Sequence, residues 1–397
     1  MLLVLPRLQR VFPLRQWCSR RTLSNAVPKY SSKVRALPFV TSQENALRIM
    51  NNYFNFTLLS KDASMTRMWQ ILRAMNNSPV KHVQAVYLPG WIVDAEVQTN
   101  AWLGDSAQQL TTVQLVDSYV PGCSFRVLSG ISLNNNDIAA SDAIPFSNDL
   151  ITQHGSQVLC LPYTISPFSL VKKLRSQPKR IVVNDGLQFD PAINLNFLAA
   201  YPILIPLYLA QYENESVSTT VFLEAFTSTL SFISMNRVYF ELCDDSLLTV
   251  ISRWLKFANH VHSGYWQAHG PATPFSKVIM PSGKHSDVLH QWLDEMISQP
   301  GGAEQLVSGS PVDFADLRVR EFTEEETFKN RDFLNVSCDV ANMKHILKEI
   351  PDLGVKISSI SKVSEDAFAS ATINEINRLH QKRDAMMPQW WKEASKS

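Results

Sequence analysis

Two carboxylates, Asp94 and Glu96, are separated by one residue in a stretch of alternating side chains. In an extended strand this spacing places both on one face, where two carboxylates can serve one substrate as acid and base or share a metal ion. Solvent-facing positions on an ordinary strand explain the same spacing. The pair is therefore the candidate site of a hydrolase or metal-dependent enzyme, or simply a polar strand face.

Histidines are concentrated in one stretch, which holds five of the nine: His260, His262, His269, His285 and His290. In an extended chain His260 and His262 share a face, and His269 is near enough in sequence to complete a three-nitrogen metal site. His285 and His290 are separated by about 140° of helix rotation, so they do not form one ligand face. We expect interface or surface histidines, with no metal and no cofactor.

A cationic segment spans residues 172–180 and contains no acid; its five basic residues are Lys172, Lys173, Arg175, Lys179 and Arg180. Such a density of positive charge attracts phosphate, either of RNA or of anionic lipid headgroups. A solvated charged face is the other interpretation. The segment is our candidate contact for a phosphate-bearing partner, and we expect no DNA partner.

An aromatic pair, Trp390 and Trp391, follows Pro388 close to the C-terminus. Such a pair either folds back onto its own domain or remains exposed as an anchor for another protein or a membrane surface. The pair is therefore a second candidate contact surface.

The elements that must position these residues begin with a helical lead-in. Thr41 and Glu44 fit a capping box, in which each side chain bonds the backbone of the other residue. Apolar residues at helical spacing follow as far as Phe54, and a second such run covers residues 65–75. We predict helices in both stretches.

From Lys81 the pattern alternates with a period of two, which predicts a long strand that carries Asp94 and Glu96. Pro89 has no N–H to donate to a neighbouring strand, so we expect an edge strand or a bulge at Pro89 and Gly90. Further strands are predicted over residues 113–119, 124–128 and 157–161.

No residue between Asp190 and Glu213 is charged, and residues 197–210 are almost wholly apolar. Pro202 and Pro206 lie inside this segment, and the apolar part is too short to cross a bilayer as a helix. A buried strand that forms a hairpin with residues 216–223 is the prediction, and a membrane-embedded segment is the alternative.

Helical spacing returns over residues 247–260 and 286–297, and a linker is expected from Pro300 to Pro311. Beyond the linker, Thr323 is a predicted helix cap, and helices are predicted over residues 338–350 and 364–387. The predicted class is α+β. Its parts are a presequence (1–23), a helical lead-in (24–80), an α+β domain (81–300) and a mainly helical C-terminal region (312–397).

The N-terminus has the character of a mitochondrial presequence. The first acidic residue is Glu44, and arginines before it interrupt every apolar run, which a secretory signal does not allow. The residues around Leu23 resemble a cleavage site of the matrix processing protease, with the cut after Leu23. Removal of residues 1–23 takes away five arginines, so the net charge falls from +1 to −4. A basic tail kept for nucleic acid is the alternative.

The composition excludes a disordered or fibrous chain, because 45% of the 397 residues are hydrophobic and only 18% are charged. The five cysteines include no C-x-x-C pair, so we expect buried free thiols rather than a zinc or redox site.

A resemblance adds to these patterns. The sequence Tyr87-Leu88-Pro89-Gly90-Trp91, followed by proline-containing apolar strands, resembles uncharacterised fungal mitochondrial proteins with a Y-L-P-x-W strand. The resemblance covers about residues 37–240. It implies a mitochondrial location and a β-rich domain, and it brings no catalytic residue.

The sequence therefore predicts a mitochondrial matrix protein that acts by binding rather than by catalysis. The expected partner is a protein complex or a ribonucleoprotein, in mitochondrial gene expression or in the assembly of respiratory complexes. Two alternatives remain open. One is an assembly factor associated with the inner membrane, and the other is an enzyme that uses Asp94, Glu96 and the central histidines.

Overall fold

A computed structural model describes residues 30–61, 80–103, 108–123, 138–153, 156–176, 180–184, 187–214, 217–226, 258–262, 265–269, 278–279, 312–360 and 365–396. The strands are β1 (Arg35–Ala36), β2 (Val80–Leu103), β3 (Gln109–Pro121), β4 (Ile144–Pro145), β5 (Thr152–Gln153), β6 (Ser156–Cys160), β7 (Ile181–Asn184), β8 (Leu187–Phe189), β9 (Asn194–Asn214), β10 (Val217–Glu224), β11 (Ala258–His262), β12 (Tyr265–His269) and β13 (Val278–Ile279). The α-helices are α1 (Gln43–Lys61), α2 (Pro167–Arg175), α3 (Glu324–Ile360), α4 (Glu365–Met386) and α5 (Gln389–Ala394).

The strands of the described residues form one large mixed sheet, with helices towards both ends of the chain, which confirms the α+β class. The main order is β11-β12-β3-β2-β9-β1-β4. The two longest strands, β2 and β9, are antiparallel neighbours, and β3 pairs with the other side of β2. Asp94 and Glu96 therefore lie in the middle of the sheet.

The apolar segment forms the predicted hairpin. Strand β9 pairs with β10 from the register Asn214↔Val217 to Leu207↔Glu224. The β9 residues between Phe197 and Tyr212 are fully or almost fully buried, because strands cover both sides of β9 in the sheet and side chains cover its faces. Within the described residues, none of the helices combines the length and the hydrophobicity that spanning a bilayer requires.

The prediction that Pro89 marks an edge or a bulge was wrong. Strand β2 is interior, and the register across Pro89 is regular. The carbonyls of Tyr87 and Pro89 accept hydrogen bonds from Leu161 (3.2 Å) and Gly122 (2.9 Å) on the side away from β9. On this side the neighbour of β2 changes from β6 to β3, so the missing N–H of Pro89 faces a junction between two strands.

The lead-in carries the first predicted helix, but Ser42 rather than Thr41 caps it, since the Ser42 hydroxyl accepts from the Asn45 backbone N–H at 3.3 Å. Ala46, Met50 and Phe54 are buried at a spacing of four residues, which forms one apolar face. Phe54 stacks on a ring of β9, that of Tyr212, with ring centroids 4.3 Å apart. Helix α1 therefore packs on the sheet.

The C-terminal helices also pack on the sheet. As predicted, Thr323 caps α3, and its hydroxyl accepts from the Glu326 backbone N–H at 3.3 Å. Just before this helix, Ala200 of β9 bonds the backbone of Arg318 and Arg320, at 2.9 Å each. The predicted terminal helix is present as α4. Helices α3 and α5 share one hydrophobic core with the sheet.

One helix prediction was wrong at its end, since residues 258–260, placed in the helix 247–260, belong to strand β11. Several predictions fall outside the described residues and are not tested. They are the rest of that helix, the strand at 124–128, the helices at 65–75 and 286–297, and the linker at 300–311. Cys123 and Cys160 are buried, as predicted, while Cys338 is half-buried.

Candidate functional site

A bulge in β3 lies directly opposite Asp94. Val93 pairs with Ser118 and Ala95 pairs with Leu115. Two residues of β3, Val116 and Asp117, therefore lie opposite the single residue Asp94 of β2. Asp117 has a φ of 50°, a backbone conformation that aspartate tolerates better than most residues other than glycine. The bulge directs the backbone N–H of Asp117 to Asp94 Oδ1 at 2.8 Å.

Asp94 is fully buried and accepts a second hydrogen bond, from the Tyr201 hydroxyl to Oδ2 at 3.0 Å. Asn330 of α3 donates from Nδ2 to the Tyr201 oxygen at 2.8 Å. Burial, with the Asp94 carboxylate as the next cause, raises the pKa of Tyr201 well above 10, so its hydroxyl keeps the proton that it donates. A chain of hydrogen bonds thus runs from α3 through β9 to β2.

The pKa of Asp94 lies above that of a free aspartate. Burial, followed by the nearby Asp117 carboxylate, raises the pKa of Asp94 from 3.8 to about 7. The guanidinium of Arg331 and the hydrogen bonds from Asp117 and Tyr201 lower the pKa, but by less than burial and the Asp117 carboxylate together raise it. Arg331 belongs to α3 and donates to the Asp117 carboxylate.

Glu96 is also buried, and its contacts join the sheet to α3 and α4. Its carboxylate accepts from Gln114 at 3.0 Å and from Asn196 at 3.3 Å, and it lies 3.6 Å from the guanidinium of Arg383 in α4. The Gln114 amide also donates to the backbone of α3 at Leu334, at 2.8 Å. The expectation of solvent-facing carboxylates was therefore wrong, because α3 and α4 cover this face of the sheet.

The arrangement of Asp94 and Glu96 indicates a structural cluster more than a reaction centre. Both oxygens of each carboxylate are occupied by donors of the protein itself. Asp94 has a pKa suited to proton transfer near pH 7, but its side chain is fully buried, so a substrate could not reach it in this conformation. What these groups do here is hold helices on a sheet.

The cationic segment lies at the surface. Lys172 and Arg175 are exposed on α2, and Arg180 is exposed shortly before β7. Arg175 donates from Nε to the Ile193 carbonyl at 2.9 Å, and the guanidinium of Arg180 lies 3.8 Å from the ring centroid of Trp102. Lys179 lies outside the described residues. At least three of the predicted cations therefore face solvent.

The aromatic pair is not exposed. Trp390 and Trp391 are buried, and their ring centroids lie 5.5 Å and 5.3 Å from that of Phe197 in β9. The prediction that these two residues contact a partner was wrong, since the short helix α5 turns both rings back onto the sheet.

The histidines are only partly described. His260 and His262 lie in β11 and His269 in β12, and these two strands are antiparallel neighbours. His285 and His290 lie outside the described residues. Among the residues that are described, no group of three or more His, Cys, Asp or Glu side chains is arranged to hold a metal ion.

The sequence interpretation missed the residues that surround Asp94, which are Asp117, Tyr201, Asn330 and Arg331, and the partners of Glu96, which are Gln114, Asn196 and Arg383. Of these features, only the bulge at Asp117 could have been recognised in the sequence. The adjacent apolar residues Leu115 and Val116 break the alternating pattern of the strand just before it. Comparison of the chain with protein-family models, with curated proteins and with solved structures finds no match. The function must therefore be argued from the residues themselves.

Proposed function

We propose that this chain is a mitochondrial matrix protein that binds RNA as part of a ribonucleoprotein in mitochondrial gene expression. The observation that carries the proposal is the exposure of Lys172, Arg175 and Arg180 in a segment without acids. Exposed cations bind phosphate by releasing counterions, and this needs no further ligand. The presequence-like N-terminus, with its acid-free stretch before Glu44, supports the matrix location.

The contact between Arg180 and Trp102 favours RNA over a lipid surface. The Trp102 ring is half-buried beside the exposed guanidinium, so a planar aromatic group and a cation lie together at the surface. Single-stranded nucleic acid is bound by this combination, because bases stack on aromatic rings while cations hold the backbone.

Burial of the two carboxylates supports binding over catalysis. Asp94 and Glu96 were the main candidates for an enzyme, and their oxygens are engaged by donors from the sheet and the helices. Neutralising them is expected to affect stability rather than a reaction.

The test is binding of a fluorescent single-stranded RNA to the purified chain at increasing KCl. We expect log Kd to rise linearly with the logarithm of the salt concentration. In the variant Lys172→Glu with Arg180→Glu, this slope should be smaller by about 0.7 for each phosphate contact that is lost. Lys344→Glu with Lys382→Glu, which reverses two exposed lysines on α3 and α4, is the matched control and should bind as the wild type does. Arg175 is left intact because it bonds the Ile193 carbonyl.

Two outcomes would contradict the proposal. If the double variant and the control bind RNA equally, the cationic segment is not the binding surface. If RNA does not bind but anionic vesicles do, with the same salt dependence, the alternative of an inner-membrane assembly factor replaces it.

A further inference from the structure

Asp94 differs from the other carboxylates between the sheet and α3. In the described part of the chain, Asp117 pairs with Arg331, Glu96 with Arg383, and Glu326 with Arg320. Asp94 instead accepts hydrogen bonds from two neutral donors, the Tyr201 hydroxyl and the Asp117 amide. Of these four carboxylates in the described residues, Asp94 is the one whose hydrogen-bond donors are both neutral.

The charged and titratable groups around Asp94 come from every element packed there. They are Glu96 on β2, Asp117 on β3, Tyr201 on β9, Glu326 and Arg331 on α3, Arg320 in the segment before α3, and Arg383 on α4. Asp117 is the negative neighbour that acts most strongly on Asp94, and Arg331 is the positive one. Because Arg331 is committed to Asp117, it compensates the charge of Asp94 only in part.

Helix α3 covers this carboxylate. Asn330 contacts the Tyr201 hydroxyl, and Arg331 contacts the bulge, so both groups that α3 adds to the network lie over Asp94. An ionised Asp94 is kept from water only while α3 stays in place, and lifting the helix would hydrate the charge. When Asp94 is protonated on Oδ2, the carboxyl becomes the donor to the Tyr201 oxygen, and this neutral group gains little from such an opening.

We propose that Asp94 is a proton-controlled latch, which holds helix α3 against the sheet when it is protonated and favours opening of α3 when it ionises. The latch requires no ligand. It would make the closure of the C-terminal helices over the sheet depend on pH, independently of whether the cationic segment binds RNA.

The direction of the pH dependence follows from proton binding. Because the pKa of Asp94 is raised to about 7, the closed state holds a proton between about pH 4 and 7 that the open or unfolded state has released. Closure is therefore favoured at lower pH, and the preference is lost as pH rises through that range. Above about pH 7 the side chain is ionised in both states, so no further dependence on Asp94 remains.

The experiment is hydrogen exchange of the full chain between pH 5 and 8, comparing the wild type with Asp94→Asn. Measurement of both proteins at each pH cancels the intrinsic pH dependence of exchange. Relative to the variant, protection of residues 326–337 in the wild type should fall by up to tenfold per pH unit from pH 5 to about 7 and then become level. Glu325→Gln, which changes an exposed carboxyl on the same helix, is the matched control and should follow the wild type.

A second comparison does not depend on the variant folding. In the wild type alone, the protection of α3, corrected for intrinsic rates, should fall with pH, while that of α1, which packs elsewhere on the sheet, should not. If α1 and α3 change in parallel, or if Asp94→Asn keeps the wild-type dependence in α3, the latch is wrong.

Discussion

Asp117 combines a strained backbone position with a charged contact. Its φ of 50° forms the bulge, its N–H reaches Asp94, and its carboxylate accepts from Arg331. Aspartate and asparagine adopt this conformation more readily than alanine does, because their short polar side chains bond locally. The residue therefore serves both the geometry of the bulge and the charge of the interface.

Substitution separates the two roles of Asp117. Asp117→Asn keeps the backbone preference and loses a half-exposed ion pair, so we expect it to lower the free energy of unfolding by about 0.5–1 kcal/mol. Asp117→Ala loses the pair and also the backbone preference, which adds about 1 kcal/mol or more. Urea denaturation measures both. Equal losses in the two variants would contradict the role of the positive φ.

Residue roles in the buried cluster were only partly predictable. The sequence shows that Asp94 and Glu96 share a strand face, and this is so in the structure. It does not show that α3 and α4 cover this face, because Asn330 and Arg383 are more than 200 residues away in the chain. Contacts of this range depend on tertiary packing, which has no local pattern in the sequence.

Helix α5 shows how a short element can fix the position of longer ones. Its two tryptophan rings pack on Phe197, which also lies 5.2 Å from the ring of Phe333 in α3. Helices α3 and α5 and strand β9 therefore meet at one aromatic cluster.

Removal of one ring tests this role. Trp390→Ala should lower the free energy of unfolding by about 3–5 kcal/mol, since it leaves a cavity against the sheet. Phe328→Ala on α3 is the matched control, because that ring is 66% exposed, and it should change stability by less than about 0.5 kcal/mol. Comparable losses in thermal or urea unfolding would mean that α5 does not fasten the helices.

The start of α3 allows a finer test. Thr323→Ala removes the hydroxyl that accepts from the Glu326 N–H, and we expect a loss of about 1 kcal/mol in unfolding free energy. Thr323→Ser keeps the acceptor and should lie close to the wild type. If serine and alanine destabilise equally, the cap does not contribute.

Among the elements, prediction succeeded where one local pattern was sufficient. Period-two alternation identified β2, and paired apolar segments identified the hairpin of β9 and β10. Prediction failed at Pro89, because a proline also fits the junction between two neighbouring strands, and sequence alone does not reveal which strands adjoin it. The α+β class followed from patterns, whereas the strand order did not.

For the whole molecule, the prediction is import followed by removal of the presequence after Leu23. The acid-free, arginine-rich start motivates it. N-terminal sequencing of the protein from purified mitochondria should begin at Ser24. A mature chain that still begins at Met1 would mean that the basic segment is retained, and the alternative of a nucleic-acid-binding tail would then gain support.

The most direct test of the central claim, that the protein acts by binding RNA through its cationic segment, is native purification from mitochondria with and without ribonuclease. We expect the wild type to sediment with a large RNA-containing particle at low salt, and to be released by ribonuclease, by high salt or by Lys172→Glu with Arg180→Glu. Asp94→Asn with Glu96→Gln should remain bound if it folds. The claim is contradicted if the charge-reversed protein stays in the particle with wild-type function, while the folded carboxylate variant loses that function.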